Sequence, residues 1–90
     1  GRLDARDESE GKLTALEKTF AELKPKLVKK LSKADSTTVL NDLTAKSEAV
    51  RKSIADLATA SADSLEPVKS TIAQRLADFD AALNEAKKRV

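Results

Sequence analysis

Apolar residues recur along this chain in steps of three and four, in three separate stretches. The most regular is the last: Leu65, Val68, Ile72, Leu76, Phe79, Leu83, Ala86 and Val90. That spacing lines one face of an α-helix. An earlier stretch carries Leu13, Leu16, Phe20, Leu23, Leu27 and Leu31 in the same rhythm. Between them run Leu40, Leu43, Ser47, Val50, Ile54, Leu57 and Ser61, with two serines at core-facing steps and alanines on either side. An amphipathic helix cannot bury its own stripe. Three stripes of similar length therefore predict an all-α, up-down-up three-helix bundle, left-handed and with shallow crossing angles. The expected helices cover about 12–33, 36–60 and 65–90.

The polar positions punctuate this pattern. Residues 1–11, GRLDARDESEG, hold Leu3 as their only large apolar side chain and predict a charged N-terminal arm ahead of a bundle over 12–90. Pro25 falls inside the first stripe, where it removes a backbone hydrogen bond at a cost of ~3 kcal/mol. The stripe keeps phase across it, which predicts one kinked helix instead of two. Residues 34–38, ADSTT, predict the first loop, with Asp35 or Ser36 as the cap of the second helix. Residues 59–64, TASADS, predict the second loop. Ser64 is the preferred cap there, because it places Pro67 in the first turn, where an amide has no helical partner to lose.

Composition agrees with helices and removes most chemistry. Charged residues make up 36% of 90, with only two glycines and two prolines. His, Cys, Met, Trp and Tyr are absent. Without His or Cys the commonest acid–base and nucleophilic groups are missing, so no enzyme activity is expected and no catalytic residue is assigned. Ser9 and Lys12 have the Ser-x-x-Lys spacing of some acyl-transfer enzymes, but that chemistry needs a buried lysine and an oxyanion hole. Asp78 and Asp80, two apart on a helix, point in different directions and cannot act as a dyad. No metal or cofactor is expected, since there is no Asp-rich loop with its glycine and no glycine-rich phosphate loop. No apolar run approaches the ~20 residues of a membrane-spanning helix. With Gly1 first and no Met, the chain reads as processed or partial.

Charge changes the picture in one place. Residues 12–33 carry seven lysines against two glutamates, whereas the whole chain has a net charge of only +2. Within that stretch Lys24, Lys26, Lys29, Lys30 and Lys33 follow one another with no acid between them, interleaved by Leu23, Leu27, Val28 and Leu31. A basic amphipathic segment of this kind is a candidate contact for an anionic surface. The plainer reading, and the one preferred, is the solvated face of a helix whose lysine stems cover the edge of a core. Nucleic acid is disfavoured, because the low net charge and the lack of stacking aromatics offer little to bind it. Lys87, Lys88 and Arg89 suit the negative end of the last helix dipole.

The passage LEPVKSTIAQRLADFDAAL is similar in texture to the helical repeats of exchangeable apolipoproteins. The separation of Pro25 and Pro67 is not a multiple of their eleven-residue unit, so the similarity is one of composition. Leu43, Val50, Ile54 and Leu57 resemble the pattern of the vinculin-binding helices of talin, from which Lys46, Ser47 and Arg51 depart. Membership of neither family follows. The function expected from the residues is a non-enzymatic helical-bundle module for protein–protein interaction or scaffolding. It would offer a helix face, or a groove at Ser47 and Ser61, to a protein partner. The alternative is reversible binding to a lipid surface through amphipathic helices. A monomer is favoured over pairing between chains, because short loops close the stripes within one chain.

Overall fold

A computed structural model describes residues 2–90, and at Arg2 the backbone alone. Three helices account for most of them: α1 (Arg2–Lys30), α2 (Lys33–Asp56) and α3 (Leu65–Lys87). Each packs against both of the others, which makes the chain an all-α three-helix bundle. The Cα extents are 47 × 18 × 16 Å. The long axis matches the 29 residues of α1, about 43 Å at 1.5 Å per residue.

The three stripes meet in one core. Leu27, Val50, Leu57 and Phe79 have no exposure at all. Leu13, Phe20, Leu23, Leu43, Ile54, Ile72, Leu76, Leu83 and Ala86 are buried around them. Phe20 and Phe79 meet edge to face at 90°, with ring centroids 6.1 Å apart, an arrangement the aromatic quadrupole favours. Contacts between helices follow a consistent order. Glu17 of α1 reaches Ser47 and Arg51 of α2, and Arg75 of α3 reaches Ala49 and Ser53 of α2. Towards the other end, Lys26, Lys29 and Lys30 of α1 border a hollow with Val90.

The elements differ from expectation at their edges. Residues 2–11, expected as an arm, are the first turns of α1; Gly1 lies outside the described residues. Ion pairs one turn apart, Arg6 with Glu10 and Glu8 with Lys12, support that segment where apolar packing does not. The helix passes through Pro25 without interruption. Pro25 and Ala21, whose carbonyl lacks its usual donor, are both exposed to water, which can take that donor's place.

The first connection is shorter than expected. It consists of Leu31 and Ser32, and the segment 34–38 belongs to α2. The cap is Ser32, whose Oγ accepts from the Asp35 amide at 3.1 Å; Asp35 and Ser36 lie inside the first turn. A cap three residues upstream serves the amides one turn earlier, here that of Asp35, and so adds a turn to the helix. The second connection is longer. α2 ends at Asp56 instead of Ala60, and amides 57–60 then bond to carbonyls three residues back, in tighter 3₁₀ geometry. Ser64 does occupy the cap position of α3, with Pro67 in the first turn, but its hydroxyl bonds the Ser61 amide at 2.8 Å instead of capping the helix.

Candidate functional site

Of the residues singled out from sequence, the two serines do not form a shared groove. Ser47 is buried between α1 and α2, donating to Glu17 Oε2 at 3.0 Å. The same carboxylate receives Arg51, which closes a polar tie across the two helices. Ser61 lies exposed in the second connection, bonded to Ser64. The reason is the early end of α2: once the helix stops at Asp56, Ser61 no longer falls on its inner face.

A second polar tie joins α2 and α3 at Ser53, a residue outside the expected three-four stripe. Ser53 is 1% exposed. It donates to the Ala49 carbonyl and accepts from Arg75, which also reaches that carbonyl at 3.1 Å. The signal was present, since Ser53 adjoins Ile54 and follows Val50 by three. Among the described residues, no buried side-chain nitrogen or oxygen lacks a partner. Ser47 and Ser53 therefore tie α2 to its two neighbours.

Ser9 and Lys12 border one hollow of about 370 Å³ between α1 and α3, whereas Asp78 and Asp80 face different ones. Lys12 is exposed and paired with Glu8 at 3.1 Å. Asp78 borders the hollow between α2 and α3, while Asp80 borders one between α1 and α3. Among the described residues, no group of three carboxylates comes together as a metal cage, and no helix is long and apolar enough to cross a membrane.

The lysine run is different, because the fold enlarges it. Lys24, Lys26, Lys29 and Lys30 stand exposed on the last turns of α1, and Lys33 opens α2 just across the tight connection. Lys24 lies over the Phe20 ring, 4.7 Å from its centroid. The hollow of about 480 Å³ shared by Lys26, Lys29, Lys30 and Val90 brings the end of α3 to the same place. Lys88 and Arg89 border the neighbouring hollow between α2 and α3, beside Thr38 and Val39 of the first turns of α2, so the cations after α3 lie at the same end as the run, a proximity that periodicity within each helix does not reveal. Between residues 24–36 and 85–90 there are eight cations and two acids, Asp35 and Glu85. The exposed valines Val28 (58%) and Val90 (38%) sit among them. This end of the rod is the candidate site, and its charge suits it to binding anions.

No protein-family model matches the chain, and searches of curated proteins and of solved structures likewise return no match. The class of protein is thus the one its own fold defines, an all-α three-helix bundle.

Proposed function

We propose that the chain is a non-enzymatic module that works by presenting its outer surface to a protein partner, as a scaffold or spacer. The observation that carries this is the closure of the core: Leu27, Val50, Leu57 and Phe79 are wholly buried. The apolar stripes are used on one another, and what remains outside is a rod with charged sides. The finer architecture that goes with this function is an up-down-up bundle of left-handed sense, its first helix kinked at Pro25 and the molecule monomeric. The flank between α2 and α3 is the surface best suited to a protein, since a hollow of about 770 Å³ runs there beside Val39, Ala81 and Ala82. A photo-crosslinker at Ala81, followed by titration of the purified captured protein, tests it. Saturable binding that Ala82→Arg abolishes is expected. Equal binding by that variant would remove the flank from consideration.

Reversible lipid-surface binding is a second function, favoured by the cations and exposed valines at one end of the rod. An apolipoprotein-like mode, in which the bundle opens and its stripes turn to lipid, would dismantle the whole core. Clearing of phospholipid vesicles with loss of core protection from hydrogen exchange is the outcome that mode requires.

A further inference from the structure

The cations of this molecule are not paired evenly. Arg6, Lys12, Lys46, Arg51 and Lys69 each meet a carboxylate within 3.5 Å. At the basic end, among the described residues, only Lys88 does so, with Glu85 at 3.1 Å. Helix dipoles account for part of this accumulation, because α1 and α3 both end there and their negative ends favour cations. They do not account for Lys33, which opens α2 at the positive end of its dipole. Like charges from three helices are therefore held together with, among the described residues, one carboxylate partner, that of Lys88, an arrangement that an anionic surface would relieve.

We propose that the closed bundle docks end-on to an anionic lipid surface, with Lys87, Lys88 and Arg89 at the C-terminal end of α3 acting together with Lys26, Lys29 and Lys30 of α1. This rests on the lipid-binding function above and narrows it, since the stripes stay buried. Three features select this occupant. A bilayer is flat and rewards each juxtamembrane cation separately, so cations spread over three helix ends all count. The end face, with Cα extents of 18 × 16 Å, is small against the ~800 Å² per partner of a standard protein interface. Nucleic acid would ask for stacking rings, and here both are buried, Phe20 at 6% and Phe79 at 0% exposure. Val28 and Val90, exposed among the lysines, are placed to sit between headgroups.

The test is flotation with phosphatidylcholine vesicles, with and without phosphatidylserine, at physiological salt, with hydrogen exchange measured on the bound protein. Co-flotation only with phosphatidylserine, with core amides still protected, is expected. Replacing Lys87, Lys88 and Arg89 by Gln should weaken binding roughly a hundredfold, and the same change at Lys26, Lys29 and Lys30 should act alike. Gln at Lys52 and Lys69, towards the opposite end, should leave binding within about twofold. All replaced residues are exposed, and circular dichroism verifies that each variant folds. Binding with loss of core protection would overturn end-on docking yet leave lipid binding standing. Undiminished binding by the α3 variant would do the same. No flotation of the unaltered protein would overturn both. Saturable binding to poly-glutamate without flotation would assign the end to an acidic polypeptide instead.

Discussion

The two ends of this rod solve the same problem in opposite ways. At one, α1 passes to α2 through two residues, with Ser32 Oγ holding the Asp35 amide, and among the described residues only Lys88 of the surrounding cations meets a carboxylate. At the other, α2 unwinds through 3₁₀ turns into a longer connection held by Ser61 and Ser64, and the charges beside it form ion pairs such as Arg6 with Glu10. Segments 2–10 and 56–66 hold seven acids against two arginines there. The tight turn is paired with an excess of cations and the loose turn with an excess of acids. Local stability and charge compatibility are thus separate variables in this fold. The cations gather where the backbone is best fixed and the acids where it is loosest.

The sharpest way to break this comparison is to ask whether the ends share one core. Leu27 lies beneath the basic end and Leu57 beneath the other, both fully buried. Leu27→Ala and Leu57→Ala should each cost ~2–5 kcal/mol, transfer and cavity terms together. If the core is continuous, urea unfolding of both variants remains a single transition with midpoints lowered by similar amounts. A biphasic curve in either would mean that the ends unfold separately, and their contrast would then be one between two weakly coupled parts.

The turns offer an intermediate effect. Ser32→Ala removes a true side-chain cap and should cost ~0.5–2 kcal/mol. Ser64→Ala removes only exposed bonds within a loop and should cost less than about 0.5 kcal/mol. Thermal melts of the two variants, run side by side, check the order. A larger loss at Ser64 would reverse the assignment of the better-fixed turn.

The existence, type and inner faces of the three helices were legible from spacing, because apolar burial dictates that spacing directly. Leu13, Phe20, Leu23 and Leu27 are all buried as their three-four steps require, and so are Ile72, Leu76, Phe79 and Leu83. Boundaries were less legible. Gly11 looked like the edge of an arm, yet α1 runs through it, at a cost of about 1 kcal/mol against alanine. The first connection was misplaced because Ser32 and Asp35 are both competent caps three residues apart, and local chemistry alone does not choose between them. Ser47 was rightly placed at a core-facing step, whereas Ser61 was not, since that inference extended α2 beyond its true end. Half of the candidate site was visible as the run Lys24–Lys33. The other half, Lys87 to Arg89, required knowing that α1 and α3 finish side by side.

The smallest effect tests the charge contrast by sign. Lys12, towards the acidic end, gains from Glu8 one turn away, so Lys12→Gln should destabilise by about 0.3 kcal/mol. Lys33 faces the positive end of the α2 dipole and a crowd of lysines, so Lys33→Gln should stabilise by about as much, ~0.3 kcal/mol. The opposite signs matter more than the sizes, and both shifts should fade at molar salt, where the Debye length falls to about 3 Å. Melting temperatures of the two variants at low and high salt decide the matter. If Lys33→Gln lowers stability at low salt, the basic end is internally compensated, and the repulsion that would make it seek an anionic surface is not there.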